Sequence, residues 1–163
     1  MAYFIVATPH ANTMMKAFVS TLLFAAFALH VLGQNAITGK WTTIDDSTGE
    51  PRGVVHIYPG GDGLYYGKLT EQLGPDAKPD DKCTECDEDD PRYNQPVIGM
   101  VIITKMRASS DLTSAEDGEI LDPENGNVYG CELEVTEGGN RLKVRGFLGF
   151  SWLGRTQEWV RRE

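Results

Sequence analysis

Val128-Tyr129-Gly130-Cys131-Glu132-Leu133-Glu134-Val135, Arg141-Leu142-Lys143-Val144-Arg145-Gly146-Phe147 and Thr156-Gln157-Glu158-Trp159-Val160-Arg161 together decide the fold. Apolar and charged residues alternate along each run, the period of a strand with one face buried. Glu119-Ile120-Leu121-Asp122 precedes them with the same character. Asn125-Gly126 and Gly138-Gly139-Asn140 separate the runs. Such residues enter the left-handed conformations of tight hairpin turns at little cost. Residues 118–162 therefore read as strands joined in sequence by hairpins.

The same reading extends toward the N-terminus. Gly39-Lys40-Trp41-Thr42-Thr43-Ile44 is a first strand, and 45–53 is a loop rich in turn formers. Residues 54–58 and 64–69 flank Pro59-Gly60-Gly61-Asp62-Gly63, a strong hairpin signal. Residues 97–104 are almost wholly apolar and rich in β-branched side chains, which suits a strand covered on both faces or one beside a lid. Residues 105–117 show no amphipathic period and are expected to hold at most a short helical turn. Eight short strands in meander order define an all-β chain, either a small sandwich or an up-and-down antiparallel barrel. The barrel is favoured because closure removes exposed strand edges. Residues 70–96 form a long loop with four prolines and an acidic cluster. A loop of that length inside a domain is commonly functional or mobile.

Residues 1–33 read as a secretory signal. Met14-Met15-Lys16 precedes an apolar stretch, 17–32, that ends in small residues. The stretch is interrupted by Ser20, Thr21 and His30 and is short for a membrane span. Cleavage is expected before Gln34, with a cut after Ala36 as the alternative, and the true start at Met14 or Met15. Removing 1–33 from 163 residues leaves a 130-residue domain, 34–163, in the periplasm or outside the cell. A chain of that size buries roughly two-thirds of its unfolded surface as one domain. Lys16 is the one charge removed, so the net charge moves from −9 to −10. Such a field opposes binding to nucleic acid or to anionic lipid.

Gly39-Lys40-Trp41 at the head of a meander is similar to the opening of lipocalin-like (calycin-like) barrels. There the Trp plugs the closed end beneath an arginine of the last strand, a part open here to Arg155 or Arg161. Further motifs extend the likeness: Tyr66-Gly67-Lys68, Cys83-Thr84-Glu85-Cys86, Pro96-Val97-Ile98-Gly99, Gly118-Glu119-Ile120-Leu121-Asp122-Pro123, Val144-Arg145-Gly146-Phe147 and Gly154-Arg155-Thr156-Gln157-Glu158-Trp159. In this order they resemble an uncharacterised bacterial family of small exported proteins, a domain of unknown function, across residues 36–162. The resemblance implies an export signal and a lipocalin-like β-barrel. It implies no activity and no catalytic residues.

Few constellations carry chemistry. Cys83 and Cys86, three residues apart in the loop, suit a local disulfide in an oxidising compartment. Thiol exchange or a zinc site are the alternatives. Glu85, Asp87, Glu88, Asp89 and Asp90 disfavour an activated thiolate, and no second ligand pair is evident. Cys131 alternates with Tyr129, Leu133 and Val135 and reads as a buried inert thiol, with pairing to the loop cysteines as the competitor. His56 sits in a strand where it faces solvent, and no phosphate-cradling glycine loop precedes a helix.

The last strand offers one pocket hypothesis. Arg155, Gln157, Trp159 and Arg161 share a face by period two. With Trp41, Tyr65 and Tyr129 as aromatic lining, Arg155, Gln157 and Trp159 form a candidate site for a small apolar or anionic ligand. The competing role for Arg155 is structural, closing the barrel end. The function expected is a non-enzymatic binder without a cofactor or metal. The alternatives are a structural or interaction module of the cell envelope and, behind it, a thiol-redox or metal-binding protein.

Overall fold

The computed structural model describes residues 36–163; the expected signal, 1–33, lies outside the described residues. Eight strands follow one another: β1 (Gly39–Ile44), β2 (Pro51–Pro59), β3 (Tyr65–Gln72), β4 (Val101–Ala108), β5 (Ser114–Leu121), β6 (Val128–Thr136), β7 (Arg141–Phe147) and β8 (Arg155–Arg162). Each pairs antiparallel with the next, and β1 pairs with β8 to close a barrel.

Alternation in the C-terminal runs becomes an inside and an outside. Cys131 and Leu133 on β6, Leu142 and Val144 on β7, and Trp159 on β8 are buried, while Glu134 and Glu158 are exposed. The register places Leu133 opposite Val144, Val135 opposite Leu142, and Leu142 opposite Trp159. Every inward position thus meets an inward position, as a one-residue slip would forbid.

The middle of the chain departs from simple alternation. No helical turn lies in 105–117. There β4 runs on to Ala108, a short turn follows, and β5 begins at Ser114. Lys105 and Asp117 take positive φ (57° and 61°), and the β5–β6 register shifts between Ala115 and Gly118. Each irregularity breaks period two, which removes the pattern by which a strand is recognised. Residues 97–100 belong to the preceding loop rather than to β4. Their backbone is held by hydrogen bonds from Val97 N–H to Asp81 O (2.9 Å) and Gly99 N–H to Leu69 O (2.7 Å).

The two barrel ends differ. The β2–β3, β4–β5 and β6–β7 turns lie at one end with the start of β1. This end is filled by side chains: Trp41, Ile57, Ile103, Met106 and Leu142 are fully buried. Each contributes about 1.5–3 kcal/mol by leaving water. The other end carries the loops 45–50, 73–100, 122–127 and 148–154.

Loop 73–100 is built rather than slack. An isolated bridge joins Lys82 to Pro96, Cys83 N–H donates to Gln95 O (3.0 Å), and Asn94 N–H donates to Cys83 O (2.9 Å). Asp90 and Arg92 form a partly buried ion pair at 2.6 Å. Cys83, Cys86, Val97 and Met100 join the hydrophobic core. Asp76, Asp80, Glu85, Asp87, Glu88 and Asp89 remain exposed, where their charge is hydrated.

Candidate functional site

The closed end is a plug. Trp41 Nε1 donates to Ile37 O at 2.8 Å, and the Arg161 guanidinium lies over the indole ring. Arg161 also donates to three carbonyls: Gly139 O, Thr38 O (3.1 Å) and Ala36 O (2.6 Å). Burial pulls the Arg161 pKa below the ordinary guanidinium value, and the ring face and carbonyls offset that cost. Gly39 has φ +116°, and a Cβ there would come within 3.0 Å of Arg161 Nη1. The positive φ calls for glycine two residues before Trp41, and the close arginine adds to that demand. Of the two arginines the sequence offered for this part, the structure uses Arg161.

The open half of the barrel holds a cavity of about 820 Å³. Its apolar wall includes Leu69, Ile102, Ile120, Val144 and Trp159. Gly146 faces it with no side chain; the nearest atoms to a Cβ there would be Tyr129 Cβ at 3.6 Å and Ile120 Cγ2 and Tyr129 Cγ at 3.9 Å, ordinary van der Waals contacts. Gly67 leaves no such room, because Ile103 already occupies it. Gly130 lies beneath the Phe147 ring and opens no space either.

Four of the six residues expected to bind ligand line this cavity: Tyr129, Arg155, Gln157 and Trp159. Trp41 is in the plug, and Tyr65 stands at the closed end of β3, opposite Met106 and packed on the core. Gln157 Oε1 accepts from Trp159 Nε1 at 3.1 Å. That bond orients the amide, leaving its N–H groups for a ligand acceptor. Arg155 is at the rim, 69% exposed, and pairs with Asp46 at 2.6 Å.

Other site residues carried no period or motif that marks them in the sequence. Gln72 ends β3; its Oε1 is buried beside the cavity without a donor, while its Nε2 donates to Asp81 Oδ2 at 3.4 Å. Arg52 reaches across the mouth to Glu124 at 2.6 Å. Asp45 caps its own turn, and the Ser47 hydroxyl, with backbone N–H groups of Ser47 and Thr48, lowers its pKa to about 2. Acidic residues outnumber basic ones around the rim, and two of the three bases, Arg52 and Arg155, are already paired.

Cys83 and Cys86 form a disulfide. Both are buried, and Cys83 Sγ lies 3.7 Å from Pro123 O. A Cβ on Gly126, whose φ is +72°, would collide with Glu85 O. The stapled loop thus rests on the 122–127 turn at the cavity mouth. Cys131 is free and buried, and desolvation raises its pKa to about 12. His56 is exposed on β2. Among the described residues no three His, Cys, Asp or Glu side chains converge as metal ligands.

A protein of the human pathogen Helicobacter pylori, HP1028, described as belonging to the lipocalin family, has a similar structure. Its TM-score is 0.64 at 16% identity, over 78% of this chain and 83% of its own. At that identity the likeness establishes the barrel fold alone. A search of curated proteins finds no match. Residues 39–161 match the profile of a family described as "Uncharacterized protein conserved in bacteria (DUF2147)", and the chain belongs to that family.

Proposed function

We propose that this protein is a non-enzymatic binder of a small, partly apolar ligand, acting after export in the periplasm or outside the cell. The cavity of about 820 Å³ carries this reading, since its size falls in the range of small-molecule sites. An apolar wall would take a hydrocarbon or ring system, and the Gln157 amide would orient one polar group. The exposed Arg155, held by Asp46, does not favour an anionic headgroup over a neutral one. The Cys83–Cys86 disulfide supports an oxidising compartment. The buried, neutral Cys131 and the exposed His56 offer no nucleophile–base pair.

The test is titration with N-phenyl-1-naphthylamine, a neutral apolar fluorophore. Saturable one-to-one enhancement, reversed by competing amphiphiles, supports the carrier reading. Absence of saturable enhancement, together with ligand-free protein in native mass spectrometry after purification from the source cell, would sink it. An interaction module of the cell envelope is the second reading, favoured by the exposed apolar loop 148–154.

A further inference from the structure

Among the described residues, the large apolar side chains most exposed to water are confined to one loop. Leu148, Phe150, Trp152 and Leu153 are 65–72% exposed, whereas the next, Ile98, is 39%. Scattered apolar residues on a surface need no explanation, but a contiguous patch does. Residues 146–154, Gly146-Phe147-Leu148-Gly149-Phe150-Ser151-Trp152-Leu153-Gly154, contain no charged side chain.

The loop is held outward. Ser151–Leu153 forms a 3-10 turn, with Leu153 N–H donating to Phe150 O at 3.0 Å. Arg145 Nε donates to Ser151 O at 2.6 Å, and Arg145 Nη1 donates to Thr156 Oγ1 at 2.9 Å. The Phe150 and Trp152 rings stack with centroids 6.0 Å apart. These contacts fix an aromatic tip facing solvent instead of letting it fold onto the barrel.

We propose that loop 148–154 docks on a zwitterionic lipid surface, inserting Leu148, Phe150, Trp152 and Leu153 at the headgroup boundary. Area and charge both disfavour a second copy of the chain as the occupant. Four side chains of this size present on the order of 500 Å², short of the roughly 800 Å² per partner that a stable interface buries. Residues 36–163 carry a net charge of −10, so two copies repel. A zwitterionic bilayer has no net charge to repel the domain. Its interface takes up Trp and Phe side chains at headgroup depth. Leu148 and Leu153 also line the cavity mouth, so docking brings the mouth to the bilayer. That last link rests on the proposed ligand-binding role; the docking does not.

The protein reports its own docking. Trp41 and Trp159 are buried, so the exposed Trp152 dominates any emission change on adding vesicles. Phosphatidylcholine vesicles should shift tryptophan emission to the blue and carry the protein upward in a density gradient. Mixing in phosphatidylglycerol at low salt should weaken flotation. The double variant Phe150→Ser, Trp152→Ser should lose flotation at least tenfold while melting at an unchanged temperature. The proposal would be overturned by no flotation of the parent protein, by flotation undiminished in the double variant, or by stronger binding to phosphatidylglycerol. A vesicle-independent blue shift that grows with protein concentration, with a dimer mass in sedimentation, would reassign the loop to self-association. Titration with N-phenyl-1-naphthylamine needs no vesicles, so failure of docking and failure of the ligand reading are told apart.

Discussion

The guanidinium carbon of Arg161 sits 4.0 Å from the centre of the Trp41 ring, joining the last strand to the first at the closed end. The same side chain satisfies carbonyls of Ala36, Thr38 and Gly139. Replacing it with Ala strips the ring of its cation and leaves three acceptors with water alone. Arg161→Ala should cost about 3 kcal/mol in urea unfolding. Arg161→Lys should recover only part, because an ammonium cannot reproduce the planar fork. Equal stability of the Ala variant and the parent would refute the plug.

Arg155 presents the opposite case. Its pair with Asp46 is solvent-exposed at the mouth. Arg155→Ala should change stability by less than about 1 kcal/mol. A larger loss in thermal or urea unfolding would show that the pair braces the mouth loops.

Gly146 tests the cavity. Its missing Cβ has room, so a larger side chain extends into the open half of the barrel instead of clashing with backbone. Gly146→Leu should weaken binding of N-phenyl-1-naphthylamine about tenfold, or about 1.4 kcal/mol, with little change in melting temperature. Undiminished binding would place the probe elsewhere.

The Cys83–Cys86 bridge spans a sequence separation of only three, so its effect on the unfolded chain is small. Replacing both residues with Ser should cost about 2 kcal/mol. Hydrogen exchange should quicken in 73–100 and in the 122–127 turn on which the loop rests, leaving β6 to β8 protected. Uniformly faster exchange would mean that the bridge supports the whole barrel.

Cys131 should contribute to the loss of stability at alkaline pH. Burial raises its folded pKa to about 12, above the ordinary 9.0. A group whose pKa is raised on folding contributes stability fully below the unfolded value and loses it as pH climbs to the folded one. Stability should therefore decline between pH 9 and 12. Cys131→Ala, though less stable at neutral pH, should show a shallower decline; an identical slope would assign the alkaline loss to other groups.

Legibility followed period. β6, β7 and β8 were readable because inward and outward residues alternate without interruption, and Trp41 was readable through its glycine. β4 and β5 were obscured by Lys105 and Asp117, whose positive φ shifts the faces midway. The cavity was only partly visible. Gln157 and Trp159 followed from strand parity, but parity does not say how far along the barrel a residue sits. Trp41 and Tyr65 face inward like the others and yet lie at the filled end.

From the sequence alone came the uninterrupted strands, their meander order, the local disulfide and a buried Cys131, because each depends on residues close together along the chain. Which arginine covers Trp41, which half of the barrel stays open, and where the acidic loop rests were decided by the tertiary structure. Those outcomes depend on barrel closure. Closure sets the register between β1 and β8, more than a hundred residues apart, and so determines which inward side chains share a layer.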